Sequence, residues 1–150
     1  MIPGYQPGVS LVPYTTFKTG GAAEYFAVAD SVDTLQSLLA AAHAAAQPVT
    51  VLGGGSNVLI ADTGLPGCVI HNQIVDWAPA VQADRVLLTV GAGYTFDDLV
   101  ARTVEAGWWG LENLSHIPGS VGATPIQNVG AYGVEVSEVI ASVTTVDATT

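Results

Sequence analysis

Two glycine-rich stretches hold the residues best suited to chemistry. Gly53-Gly54-Gly55-Ser56-Asn57 follows a short apolar run, Val49 to Leu52. Consecutive glycines behind a strand permit backbone angles that aim several N–H groups at one point, forming a nest for an anion. Ser56 and Asn57 can add side-chain donors. The plainer reading of such a loop is a tight structural turn. It is neither a G-x-G-x-x-G fingerprint nor a Walker motif, and the chain has a single lysine, Lys18. A nicotinamide Rossmann domain and a P-loop NTPase are therefore poor fits. The second stretch runs Ile117-Pro118-Gly119-Ser120-Val121-Gly122-Ala123-Thr124-Pro125-Ile126-Gln127-Asn128-Val129-Gly130-Ala131-Tyr132-Gly133. Its small residues let backbone approach a flat ligand, and Gln127 and Asn128 can hydrogen-bond heteroatoms. A glycine-rich structural loop is the alternative. Together the two stretches point to a shared ligand site.

The remaining reactive side chains form no constellation. His43, His71 and His116 have no metal-ligand spacing, and one cysteine does not make a structural zinc site. Cys68 falls in a predicted strand and reads as core. Asp97 and Asp98 read as first-turn helix charges rather than paired catalytic carboxylates. Arg85 and Arg102, before a strand and within a helix, read as surface charges. Trp108 and Trp109 follow a turn at Gly107 and read first as hydrophobic anchors.

Composition narrows the partners. The chain has 150 residues, with 3 Lys+Arg against 13 Asp+Glu and a formal charge of -10. Three cations cannot build the phosphate-neutralising face that nucleic-acid binding requires, nor dock on an anionic membrane. With 49% hydrophobic and 11% charged residues, disorder is not expected. No apolar run approaches the roughly 20 residues that span a bilayer. The first residues lack a basic region and an apolar core, so no signal peptide is expected. A compact acidic protein remains, and any anion it binds must be held largely by backbone N–H groups.

The elements that position the loops read as α/β. The first 22 residues, with three prolines and four glycines, look like an irregular lead-in. Tyr25 to Ala29 suits a strand. Asp30-Ser31-Val32-Asp33 opens a helix whose stripe is Val32, Leu35, Leu38, Leu39 and Ala42, reaching about Ala46, with Pro48 closing it. Val49 to Leu52 and Cys68 to Ile70 are further strands. An open stretch around Ala78 to Asp84 separates a second unit. There Arg85 to Val90 is a strand, and Thr95-Phe96-Asp97-Asp98 starts a helix to about Ala106, seated by Leu99, Val100 and Val104, with Gly107 at C′. Ile140 to Val146 alternates as a last strand, entering a hairpin turn that does not return by Thr150. Leu111 to Gly133 has no period and no Lys or Arg. An aperiodic stretch of that length in a compact domain implies a buried or ligand-facing path whose polar groups need partners.

These stretches together resemble the N-terminal, FAD-binding part of the UDP-N-acetylenolpyruvoylglucosamine reductase (MurB) family of peptidoglycan synthesis. The matching residues are Thr16-Phe17, Thr19-Gly20-Gly21-Ala22-Ala23-Glu24-Tyr25-Phe26 and Val51-Leu52-Gly53-Gly54-Gly55-Ser56-Asn57-Val58-Leu59. Gly91-Ala92-Gly93, Gly110-Leu111-Glu112-Asn113-Leu114 and the block from Ile117 to Gly133 follow in order. One departure is Thr15, where members usually carry Asn. Lys18 is assigned no role.

The resemblance implies an α/β FAD-binding fold of the vanillyl-alcohol oxidase and p-cresol methylhydroxylase type. It implies two small subdomains, residues 1–75 and an incomplete 76–150, with the substrate-binding domain absent and the chain a truncated reductase. Gly53, Gly54, Gly55, Ser56 and Asn57 would cradle the FAD pyrophosphate. Ser115, Ile117, Gly119, Gly122, Ala123, Pro125, Gln127 and Asn128 would pass near the flavin and its phosphates, with Tyr132 and Gly133 close by. The family reduces the enolpyruvyl double bond of UDP-N-acetylglucosamine enolpyruvate, with NADPH as the hydride source and FAD as the relay, in the cytoplasm. Its catalytic arginine, proton donor and glutamate have no counterpart here, so no residue of this chain is catalytic. Ser56 and Ser120 match cofactor-binding positions, not an acid. Against a flavin, His116 and the tryptophans gain a second reading as possible contacts. Two other readings stand: an FAD-dependent alcohol or sugar oxidoreductase of the same fold, and a non-catalytic nucleotide-binding or interaction module.

Overall fold

The computed structural model describes residues 1–148. The chain divides into two compact units, Met1–Ile74 with the residues from Thr145 onward, and Val75–Thr144.

The first unit is one sheet with a helix on it. Its elements are β1 (Gln6–Ser10), β2 (Ala22–Ala29), α1 (Val32–Ala44), β3 (Val49–Leu52) and β4 (Leu65–Asn72). The strand order is β1-β2-β4-β3; β1 runs antiparallel to β2, whereas β4 is parallel to both neighbours. A central parallel strand is covered on both faces and so reads as a continuous apolar run. Cys68, Val69 and Ile70 of β4 are all fully buried. Because side chains alternate, Cys68 and Ile70 join Leu38, Leu39 and Ala42 of α1, while Val69 faces Leu11, Phe26, Leu52 and Ile60.

Both ends of α1 have a local cause. Ser31 Oγ accepts the Thr34 N–H at 3.1 Å, and Asp30 takes the Thr34 hydroxyl at 3.0 Å. At the other end Ala46 enters the left-handed region, with φ 53°, and its N–H reaches His43 O while Gln47 N–H reaches Ala42 O. This paired closure stops the helix before Pro48 is reached, a correction to the expected proline stop. Val32, expected on the buried stripe, is exposed.

The lead-in is not irregular: Gln6–Ser10 pairs with β2 in the register Pro7↔Tyr25. Proline and glycine hide the strand in the sequence, and an edge position tolerates both.

The second unit begins with an antiparallel pair, β5 (Trp77–Val81) and β6 (Val86–Val90), followed by α2 (Phe96–Glu105). The stretch expected to be open is thus mostly β5. Ala78, Pro79, Ala80 and Val81 are all exposed, so no apolar alternation marks it. Phe96, Leu99 and Val100 bury α2 against Leu114 and Val136. Val104, expected to seat the helix, is exposed; Thr103 is buried instead and donates its hydroxyl to Val100 O at 2.8 Å. Gly107 closes the helix at C′ with φ 71°. Arg102 is not a free surface charge. Its guanidinium stands 4.7 Å over the Trp77 ring and donates to the Tyr94 hydroxyl at 2.8 Å. Trp108 stacks on Trp77 and acts as an anchor, whereas Trp109 is exposed.

Beyond α2 the chain makes 3-10 turns at Glu112–Leu114, Val121–Ala123 and Val136–Glu138, one α-helical turn α3 (Thr124–Gln127), and a short hairpin of β7 (Gly130–Ala131) and β8 (Val134–Glu135). The strand expected over 140–146 does not form. A strand needs a ladder partner, and among the described residues none pairs with it. Ile140 packs on the second unit's core and Val146 on the first's. The turn expected at the chain's end lies partly outside the described residues.

All three tryptophans lie in the second unit, so their fluorescence reports its unfolding. Phe96→Ala is expected to lower that unit's stability in urea by about 3–5 kcal/mol, while Val104→Ala stays within about 0.5 kcal/mol of the parent.

Candidate functional site

The carboxyl end of β3 runs directly into Gly53, Gly54 and Gly55. Gly55 is buried and has φ 64°, which an L side chain rarely adopts. A Cβ there would collide with the Tyr14 carbonyl oxygen, so the two backbones approach as closely as they do only because position 55 is glycine. The approach is fixed by a hydrogen bond from Thr16 N–H to Gly55 O at 3.0 Å. Among the described residues, no backbone carbonyl accepts the N–H of Gly54 or Gly55. Gly54 and Asn57 are exposed, and Ser56 is half-buried.

Beside this loop lies a cleft of about 150 Å³, lined by Pro13, Tyr14, Thr15, Thr16, Lys18, Gly53, Gly54 and His71. Thr15 is buried, and its hydroxyl donates to Thr19 O at 3.1 Å, so it ties its own turn. Lys18 adopts φ 55° and donates from Nζ to Pro13 O at 3.1 Å. His71 contacts the Tyr14 ring edge-on at 4.9 Å and Gln73 Nε2 through its own Nε2 at 3.1 Å. Burial lowers its pKa below the ordinary imidazole value, and a hydrogen bond to the Gly53 backbone partly opposes this.

In the second unit the other glycine-rich stretch is laced to the start of α2. Phe96 N–H donates to Gly119 O at 3.0 Å, Val121 N–H to Tyr94 O at 2.8 Å and Gly122 N–H to Ala92 O at 2.9 Å. Ala123 N–H is taken by Ser120 O. A Cβ on Gly122 would lie 2.6 Å from Ala92 Cβ, so glycine is required there by packing. These N–H groups are therefore spent within the fold. What this stretch offers a ligand is its small-residue surface and the side chains of α3 and its flanks.

Ile117, Gly119, Ala123 and Pro125 are half-buried, whereas Ser115 and Gln127 are exposed. Asn128 ends α3 in the left-handed region, with φ 44°, and donates Nδ2 to Glu135 Oε2 at 3.0 Å, leaving its carbonyl oxygen to accept. Tyr132 and Gly133 both have positive φ and form the two-residue turn between β7 and β8, with the Tyr132 ring outward and exposed. His116 is exposed; its N–H donates to Asp97 Oδ1 at 2.6 Å, so Asp97 ties the loop as well as charging the first turn of α2. Among the described residues, no group of His, Cys, Asp or Glu could hold a metal.

Gly53 and Gly54 thus share one cleft with Lys18 and His71, which sequence reasoning left aside. Their signal was faint: Lys18 is the only cationic side chain among the first 74 residues, and His71 directly follows the fully buried run of β4. The arrangement can hold an anion on peptide N–H groups at the end of a strand. It contains no paired nucleophile and base.

The sequence profile of the FAD binding domain matches residues 23–150. The UDP-N-acetylenolpyruvoylglucosamine reductase of Cutibacterium acnes is 46% identical over 140 residues, which are 93% of this chain and 37% of that protein. The enzyme of the same name from Thermobifida fusca is 43% identical over 98% of this chain and 42% of its own length. The chain therefore spans about two fifths of the length of these curated relatives, 37% and 42%. The crystal structure of the UDP-N-acetylenolpyruvylglucosamine reductase (MurB) from Thermus caldophilus matches with a TM-score of 0.66 at 33% identity, over 87% of this chain and 44% of that one. A solvent-stable cholesterol oxidase matches with a TM-score of 0.52 at 17% identity over 71% of this chain and 20% of that one, a likeness of fold alone. The α/β architecture is that of the vanillyl-alcohol oxidase and p-cresol methylhydroxylase type.

The depressed pKa of His71 has a thermodynamic consequence. The unfolded chain binds this proton at a higher pH than the folded one, so stability is full above the unfolded value near 6.5 and falls as the pH drops below it. Urea unfolding followed by far-UV circular dichroism from about pH 8 to pH 5 is expected to show this loss, with a shallower acid limb in His71→Gln.

Proposed function

The chain belongs to the FAD binding domain family, and on that premise we propose that it is the FAD-holding part of an NADPH-dependent reductase. The parent enzyme converts UDP-N-acetylglucosamine enolpyruvate to UDP-N-acetylmuramate in peptidoglycan synthesis, in the cytoplasm. The observation that carries the reading is the Gly53–Gly55 loop, whose backbone runs so close to Tyr14 that a Cβ on Gly55 would fill the space, with the Gly54 and Gly55 N–H groups accepted by no carbonyl among the described residues. Donors of that kind suit a pyrophosphate in a chain of charge -10, where cationic side chains are scarce. The names of the relatives supply the reaction.

On this reading Gly53, Gly54, Gly55, Ser56 and Asn57 hold the pyrophosphate, and the two units are the subdomains of one cofactor-binding domain. Ser115, Ile117, Gly119, Gly122, Ala123, Pro125, Gln127, Asn128, Tyr132 and Gly133 supply contacts along the rest of the cofactor. Because the N–H groups of Gly122 and Ala123 are used within the fold, those two positions contribute close surface rather than donors. Bound FAD supplies the hydride chemistry; the residues of this chain bind and orient it.

No residue here is assigned to substrate turnover. Cys68 is fully buried in β4, and Ser120 is buried where it bridges Thr95, so neither is placed as a proton donor. The UDP-sugar site, the NADPH contacts and the catalytic acid belong to the remainder of the parent protein. Among the described residues no helix is long and apolar enough to cross a membrane.

Incubation with FAD followed by desalting is expected to leave the visible bands of oxidised flavin on the protein. Gly54→Val should lose that flavin with an unchanged far-UV spectrum, and full retention would overturn the nest. Protein that stays colourless under FAD titration would overturn the cofactor reading. With NADPH and UDP-N-acetylglucosamine enolpyruvate, the chain alone is expected to give no UDP-N-acetylmuramate.

A further inference from the structure

Lys18 is the only Lys or Arg in the first unit, which also carries Glu24, Asp30, Asp33, Asp62 and Asp147. None of those acids lines the cleft beside the glycine loop, whereas Lys18 does, together with Gly53 and Gly54. Its position is built rather than incidental. The turn that carries it is held by Lys18 N–H to Thr15 O at 3.2 Å, by the Thr15 hydroxyl to Thr19 O at 3.1 Å and by Thr16 N–H to Gly55 O at 3.0 Å. The backbone of Lys18 is left-handed, with φ 55°, a conformation that costs a non-glycine residue about 1 kcal/mol and persists only where the surroundings over-determine it. One of its three ammonium donors is given to Pro13 O at 3.1 Å, which leaves two for a ligand.

We propose that Lys18 is the cationic contact of the anion held at the Gly53–Gly54 end of this cleft. The inference rests on the reading of that loop as the site of a pyrophosphate. Backbone N–H groups supply direction and partial charge but no net charge. A doubly charged ligand approaching a unit with five acidic side chains meets net repulsion, and one positioned ammonium inside the cleft offsets it locally. Lys18 is exposed, so its contribution is screened by salt, and that dependence is its signature.

The test compares the chain with Lys18→Met and Lys18→Arg in FAD titrations read by flavin fluorescence, across a series of salt concentrations. The expected result is an affinity about three- to tenfold weaker for Lys18→Met at low salt, a gap that closes as salt rises, and recovery in Lys18→Arg. Equal affinity and equal salt dependence in Lys18→Met would overturn the role of Lys18 while leaving the FAD reading intact. A parallel titration with inorganic pyrophosphate, followed by amide NMR, separates the two claims. If the parent chain fails to bind FAD but pyrophosphate shifts the Gly53 and Gly54 amides in it and not in Lys18→Met, the anion site stands and the FAD reading falls. Pyrophosphate that shifts those amides equally in both chains overturns the proposal, as does pyrophosphate that shifts them in neither.

Discussion

At Gly55 two stretches of backbone meet with no room for a side chain between them. The Tyr14 carbonyl occupies the space a Cβ would take, and Thr16 N–H closes onto Gly55 O. From this one approach the rest of the cleft follows. Lys18 and Thr16 line the cleft together with Gly53 and Gly54, and the Tyr14 ring stands against His71 and Phe26. The sheet makes the approach possible, because Leu52 at the end of β3 and Leu11 just before Tyr14 lie in the same buried cluster.

The two glycine-rich stretches solve different problems. In the first, among the described residues, no carbonyl takes the peptide N–H groups of Gly54 and Gly55, so donors remain for an anion. In the second, the N–H groups of Val121, Gly122 and Ala123 are consumed in fastening the loop to the start of α2 and to itself. Ala92 is packed against Gly122, so that position has no room for a side chain. On the proposed reading, this contrast is how a chain with 13 acids and 3 cations would hold a phosphate-bearing cofactor. Few cations would supply the charge, and the backbone would supply the direction.

The parts of the fold legible in the sequence are those where local chemistry and burial agree. Cys68 to Ile70 read as a strand because β4 is buried on both faces, and Ser31 marked the start of α1 because its hydroxyl caps it. The parts that were not legible have their stability elsewhere. Pro7 and Gly8 disguise β1, which exists only because β2 offers it an edge. The exposed Ala78-Pro79-Ala80 run disguises β5 for the same reason. The alternation of 140–146 promised a strand, but it finds no ladder among the described residues; its apolar side chains are used as separate anchors. In the cleft, the glycines could be read directly. Lys18 and His71 could not, since only the turn at Tyr14–Lys18 and the register of β4 bring them beside the loop.

On the proposed reading, peptide N–H groups of the Gly53–Gly55 loop hold the pyrophosphate of FAD. A crystal structure of the chain grown with FAD tests it most directly. Pyrophosphate oxygens are expected within about 2.7–3.2 Å of the Gly54 and Gly55 nitrogens. FAD bound with its pyrophosphate away from that loop would contradict it.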